Sequence, residues 1–239
     1  MSFRIEVPTA LEYFRSLVAG EGAFPLLEAA ASLAQDEYPE IDVAQVLAQV
    51  DRIQARLARR TGPEEDELQR LRVLNACFFE ELGFAGNIND YYDPDNSFLH
   101  LVLRTRRGIP ISLAVIWLEL AQGLGLQAEG VNFPGHFLVK GHLSEPRHGQ
   151  VVIDPFTGES LGRDELLERI QSVSTPVHHA RVRDPDDLLL AHLAPAQGRD
   201  IIWRMLRNLE EIYRSQSDTT RLALVRARMD IMREARQSH

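Results

Sequence analysis

The stretch "RRGIPISLAVIWLELAQGLGL", Arg106 to Leu126, constrains this chain more than any other, because both ends of one helix are written into it. Proline suits the first helical position: its missing N–H would have no intrahelical partner there, and its ring holds φ near the helical value. Pro110 therefore marks a start, and the glycines at 123 and 125 mark a stop. A helix mouth of this kind is also where many enzymes place a nucleophile, and here the place holds a proline.

The text before this helix is helical in pattern. "ALEYFRSLVAG" carries an apolar stripe and a glycine stop, "FPLLEAAASLAQDEY" continues it, and "DVAQVLAQVDRIQARLARRTG" puts Val43, Val46, Leu47 and Val50 on one face. "PEEDELQRLRVLNACFFEELGFAGN" predicts a further helix with Pro63 near its start, acids in the first turn, Leu71, Leu74, Phe78 and Leu82 at helical spacing, and Gly83 as its end. "NINDYYDPDNS" reads as a polar loop in which Asn96 or Ser97 caps a short helix "FLHLVLRTRRG".

After Gly125 the character changes. "GVNF", "GHFLVKGHL" and "GQVVIDPF" are short β-branched or aromatic runs separated by Gly and Pro, and the turn "SEPRHGQ" joins the last two as an antiparallel hairpin. From Gly158 to Leu193 the text is mixed and polar, with "TPVHHARVRDPDD" as a linker. Two amphipathic helices follow. "GRDIIWRMLRNLEEIYRS" aligns Ile202, Met205, Leu206, Leu209 and Tyr213, and "DTTRLALVRARMDIMREA" aligns Leu222, Val225, Met229 and Met232. This helical hairpin looks like one tetratricopeptide-type unit, without a second copy at a ~34-residue period. The expected fold class is α+β, in three regions: 1–62 as N-terminal helices packed on the core, 63–175 as the core, and 176–239 as linker and hairpin.

Composition narrows the function. Across 239 residues, 44% hydrophobic content is ordinary for a cored globular protein, and no segment approaches the ~20 apolar residues of a membrane span, so the expectation is a cytoplasmic protein without membrane association. The net charge of -9 argues against nucleic acid as a partner, because phosphate neutralisation needs a basic face. Cys77 stands alone, which excludes an internal disulfide and a thiolate zinc cluster; on or beside its helix's apolar stripe it reads as buried structure. His142, His148 and the pair His178-His179 match no zinc spacing, and Asp90, Asp93, Asp95 and Asn96 lack the glycine and closing glutamate of a calcium loop. The expectation is no metal and no cofactor.

Three groups of residues can carry chemistry. A helix N-terminus facing a hairpin that offers a histidine from one strand and an aspartate from the next is the frame of cysteine-type acyl transfer. His136 opens "HFLVK" and Asp154 closes "VVIDPF". Alternatively, His136 is a hydrogen-bonded edge residue and Asp154 a turn opener before Pro155. Arg104, Arg106 and Arg107 precede a helix N-terminus suited to anions, or complement the dipole of the helix they end.

The run "GNINDYYDPDNSFLHLVLRTRRGIPISLAVIWLELAQGLGLQAEGVNFPGHFLVK", with "VVIDPFTGE", closely resembles the bacterial SirB-type family, in which a transglutaminase-like domain precedes a tetratricopeptide-like helical tail. "DIIWRMLRNLEEIY" is similar to the start of that tail. The resemblance implies a transglutaminase-like, papain-related core with a small antiparallel sheet. Catalytic members of the wider superfamily carry Gly-x-Cys at the start of the core helix, an Ala one turn later and Leu-Gly at its end; the matching residues here are Gly108-Ile109-Pro110, Ala114 and Leu124-Gly125. Proline has no nucleophilic atom, and Ser112, rotated by roughly 200° from it, points elsewhere and serves a first-turn backbone donor. The resemblance thus implies a remnant site of Pro110, His136 and Asp154, with His136, Asp154, Arg106, Arg107, Tyr91 and Asn96 as binding residues. It implies a non-catalytic protein that takes a protein segment or small ligand, with a protein or peptide as partner. The alternatives are a hydrolase or acyltransferase that works through His136 and Asp154 without a cysteine, and an assembly subunit whose helical ends do the work.

Overall fold

The computed structural model describes residues 8–20, 23–62, 64–144, 148–173 and 184–237. Helix α1 (Ala10–Ala19) opens on a reciprocal cap: the Thr9 hydroxyl accepts from the Glu12 N–H, and the Glu12 carboxylate accepts from the Thr9 N–H. Helix α2 (Leu26–Ser32) buries Ala29, Ala30 and Ala31 completely, side chains small enough to let neighbouring helices approach closely. Helix α3 (Val43–Ala58), capped by Asp42, buries Val43, Val46, Val50 and Leu57.

Helix α4 (Glu67–Asn75) starts later than the sequence predicts. Asp66 is the cap, its carboxylate accepting from the Gln69 N–H at 2.7 Å; the expected Pro63 lies outside the described residues. The chain then widens into a single π turn over Ala76–Glu81, where the Leu82 N–H reaches the Cys77 carbonyl at 2.9 Å. Cys77 is buried there, and burial, aided by Glu81, pushes its thiol pKa up against Arg56 and Arg60. It is an inert core residue.

Helix α5 (Leu99–Thr105) corrects a second expectation. Neither Asn96 nor Ser97 caps it: both sit in a 3₁₀ turn, Pro94–Ser97, that is itself capped by Asp93. The Asn96 amide is spent on the preceding loop instead. Two short strands, β1 (Ala85–Gly86) and β2 (Arg107–Gly108), pair in parallel and bring that loop against the start of helix α6 (Pro110–Gly123). Every residue of α6 from Pro110 to Trp117 is buried, because α2, α3 and α5 cover one side and the main sheet the other. The Leu126 N–H bonding back to the Ala121 carbonyl and the Gly125 N–H to the Gln122 carbonyl end it, where the glycine-rich text predicted a stop.

The main sheet is antiparallel, in the order β6-β5-β4-β3-β7, formed by β3 (Ala128–Val131), β4 (Leu138–Leu143), β5 (Gly149–Ile153), β6 (Ser160–Leu161) and β7 (Pro195–Ala196). Alternation divides its side chains. Val139 and Ile153 join the main core under α6, while Leu138, Val152 and Val131 face a second cluster with Leu166 and Ile170 of α7 (Arg163–Val173) and Leu193 after α8 (Pro185–His192). The stretch read as polar text and linker thus holds β6, α7 and α8. Asp184 to Asp187 of the expected linker form the start of α8, and residues 174–183 lie outside the described residues, His178 and His179 among them.

The C-terminal hairpin of α9 (Gly198–Ser215) and α10 (Thr219–Gln237) packs on α1 and α2, and the same core cluster runs from Phe14 to Met232. Arg228 of α10 is buried within it, ion-paired to Asp36 and lying over the Phe14 ring. Among the described residues no helix is long and apolar enough to cross a membrane.

Candidate functional site

The site is built where two loops meet. β4 and β5 pair with Val139 opposite Ile153, which leaves Asp154 and the residues before Leu138 at the same sheet end. His136 does not open a strand, as the sequence predicts; it ends a turn whose own bonds are Phe133 N–H to the Val131 carbonyl and His136 N–H to the Phe133 carbonyl. Pro134 has no N–H to give a ladder and Gly135 has φ of 68°, so pairing begins only at Leu138. Asp154 follows β5 and opens a tight loop, its carbonyl accepting from the Gly158 N–H at 2.7 Å.

His136 Nε2 lies 2.7 Å from Asp154 Oδ1, with the aspartate side chain 3% exposed and the histidine 24%. The same Oδ1 accepts from the Phe156 N–H at 2.9 Å, and Oδ2 accepts from Arg169 Nη1 at 3.0 Å. Burial pushes the Asp154 carboxyl up, but the hydrogen bond and charge of His136, the Arg169 guanidinium and the Phe156 N–H together outweigh it and hold the group below the usual carboxylate range. An ionised carboxylate can only accept, so the His136 proton is assigned to Nε2, and in the neutral ring Nδ1 keeps its lone pair. The arrangement can orient a base or accept a hydrogen bond from a ligand.

Phe156 forms the neighbouring wall. Its ring stands 6.3 Å from His136 and 5.9 Å from Tyr91, at whose side Tyr92 packs edge-on. It packs against Gly86, where an added Cβ would fall 2.2 Å from the ring. Gly86→Val is therefore expected to expel Phe156 and destabilise the protein by about 1–3 kcal/mol; denaturation measures the loss, and an unchanged midpoint would show that the ring is not held there.

The remaining candidates divide. Tyr91 lies at the rim, its phenol pushed up by burial and by Tyr92. Asn96 is buried and fully engaged: it takes a hydrogen bond from Asn87 Nδ2 at 2.9 Å, and its amide donates to the Asp90 carbonyl at 2.6 Å. It shapes the loop that carries Tyr91 and has no atom left for a ligand. Arg106 lies over the Phe84 ring and Arg107 donates to the Gly83 carbonyl, so their contacts lie with the chain around Gly83 and not with His136 or Asp154. Pro110 is buried at the first position of α6. Ser112 is buried too, accepting from the Ile109 N–H at 3.1 Å and donating to the Asn96 carbonyl at 2.6 Å, so it is structural.

Residues 44–207 match the transglutaminase-like superfamily. The chain belongs to that superfamily. Within it, a UPF0162 protein of Xylella fastidiosa (strain 9a5c) is 40% identical over 203 residues, 83% of this chain and 68% of that protein. A UPF0162 protein of Vibrio cholerae is 34% identical over 155 residues, 65% of this chain and 54% of that protein. The chain is thus a transglutaminase-like member of the UPF0162 family, and it spans between about half and about two thirds of these relatives' length. F-box only protein 21 of Homo sapiens is 43% identical over 76 residues, 32% of this chain and 12% of that protein. No solved structure matches.

Two residues that join the His136–Asp154 site were missed in the sequence. Arg169 comes from α7, whose two buried apolar residues, Leu166 and Ile170, make too narrow a stripe to signal a helix in polar text. Arg204 comes from α9: its Nη2 donates to the His136 carbonyl at 2.7 Å and its Nη1 to Asn132 Oδ1 at 3.2 Å. Nothing local distinguishes it from the other arginines of that helix. On its outer side runs a polar groove of about 570 Å³ lined by Asn132, Trp203, Arg204, Arg207 and Asn208, with Asp200 and Glu211 as its acids. Among the described residues no three His, Cys, Asp or Glu side chains come together as a metal site.

Proposed function

We propose that this protein is a non-catalytic, SirB-type member of the transglutaminase-like superfamily. It binds a protein segment or small ligand beside His136 and Asp154, with the α9–α10 hairpin as a tetratricopeptide-like surface for protein contact in the cytoplasm. The reading rests on Pro110 at the first position of α6, the place the family resemblance gives to the cysteine of catalytic members, and on the hydrogen bond of the His136–Asp154 pair. Further support comes from the rim: Ile88 and Tyr92 are 80% and 71% exposed on a loop that Asn96 holds rigid, so bulky apolar groups are presented at little ordering cost.

The reading is tested by putting the nucleophile back. Pro110→Cys places a thiol at the N-terminus of α6, where the dipole lowers thiol pKa values, and on the remnant-site reading the His136 imidazole lowers this one further. At pH 7 the new thiol is expected to react with iodoacetamide at least ~10-fold faster than an ordinary thiol, and His136→Ala in the same chain to remove the gain. Buried Cys77 provides a silent background. A Pro110→Cys thiol that the reagent labels at the same rate with and without His136 would sink the remnant-site reading. A serine or thiol probe that labels the unmutated chain in a His136-dependent way would overturn its non-catalytic half.

A further inference from the structure

We propose that Arg204, on the tail helix α9, is a positioning residue for His136: it locks the Asn132–His136 turn in the backbone shape that sets the imidazole against Asp154. This deepens the reading of His136 as the working group of the site, and adds that the tail is part of that site.

The turn has few bonds of its own. Beyond the Phe133 and His136 N–H bonds within it, the turn presents to α9 the Asn132 side-chain oxygen, the Phe133 carbonyl that also accepts the His136 N–H, and the His136 carbonyl. One guanidinium meets all three, with Nη1 at 3.2 Å and 3.5 Å from the first two and Nη2 at 2.7 Å from the last, and with the guanidinium carbon 5.6 Å from the centre of the Phe137 ring. A planar fork can bridge acceptors on both ends of a five-residue turn; a lysine ammonium, a single point, cannot hold the same geometry. Burial pushes the Arg204 pKa down, Tyr91 raises it and Arg207 lowers it, so the group is held in a desolvated place at a cost that the turn's three acceptors offset. The neighbouring Arg199 shows the contrast. It sits on the same helix and also donates to carbonyls, but to those of Val18 and Gly20, docking the tail on the N-terminal helices away from His136.

The test reads His136 directly, with no partner or reactive thiol involved, so it can fail independently of the proposed function. In the full chain with ¹⁵N-labelled histidine, at a pH where the imidazole is neutral, the wild-type ring is expected to show one tautomer, protonated at Nε2 and bare at Nδ1. Arg204→Ala should average the two ring-nitrogen signals and speed amide exchange at His136 about 10-fold or more, as expected when a locally protected turn is released. Arg204→Lys should restore part of the wild-type signature. Arg199→Ala should lower thermal stability and leave the His136 signals in place. The proposal is overturned if Arg204→Ala keeps the wild-type ring signature, or if Arg199→Ala disturbs that ring as much as Arg204→Ala does. Should Arg204→Ala not fold, Arg204→Gln decides on the same two signals.

Discussion

Asp154→Ala is expected to lower the free energy of unfolding by about 2–4 kcal/mol at pH 7. Three donors converge on this buried carboxylate, from His136, Arg169 and the Phe156 backbone. Alanine leaves all three without an acceptor. His136 and Arg169 are partly exposed and recover some hydration, which keeps the loss below that of a fully buried broken pair. Asp154→Asn keeps the shape and one acceptor oxygen, so its loss should be smaller. The pH dependence follows from the direction of the shift. The folded carboxyl binds its proton less tightly than the unfolded one, near ~3.9, so its contribution is fully present above the unfolded value and is lost as pH falls through the folded one. Asp154→Asn should flatten the slope of the stability profile in that acid window and leave the slope near neutrality unchanged, its smaller loss there being independent of pH. Denaturant titrations of the three chains at pH 3 to 7 measure this, and an Asp154→Ala chain as stable as wild type would show that the carboxylate's partners contribute nothing net.

Trp117→Ala is expected to cost about 3–5 kcal/mol, the range for removing a fully buried large aromatic side chain. Trp117 has no exposed surface, sits mid-way along α6, and its indole N–H donates to Asn75 Oδ1 at 2.9 Å. Truncation opens a cavity between α6 and α4 and strands the Asn75 side-chain oxygen. Trp117→Phe retains much of the ring volume and loses the hydrogen bond, so about 1–2 kcal/mol is expected. The two losses are read by urea denaturation. A Trp117→Ala loss under about 1 kcal/mol would mean that the site collapses around the missing ring, and that α6 is not the rigid centre on which the sheet rests.

Much of the fold was legible because its signals are local. The limits of α6 follow from Pro110 and the glycines after it, the α9 and α10 stripes from 3.6-residue spacing, and the β4–β5 hairpin from two β-rich runs with a turn between them. The strands β6 and β7 are two residues each, shorter than any alternation that could announce them. The place of Asn96 has the same physical root. A side chain able to cap a helix is equally able to bond a loop, and the choice went to the Asp90 carbonyl because β1–β2 pairing brought that loop close.

For the site, the sequence by itself determined the chemistry on offer: a proline without a nucleophilic atom at the mouth of the core helix, a histidine before one strand and an aspartate after the next. Those are properties of residue type and order. Only the tertiary structure decided that His136 and Asp154 meet at 2.7 Å, that Arg169 adds its guanidinium to His136 in holding the carboxyl below the usual range, and that Arg204 reaches back 68 positions to hold the histidine's turn. The reason is range. Helix limits and strand patterns, like the Phe156 N–H bond two residues from Asp154, arise from forces between neighbours in the chain, whereas the contacts of His136, Arg169 and Arg204 join residues 15 to 68 positions apart and exist only once the sheet, α7 and α9 have packed together.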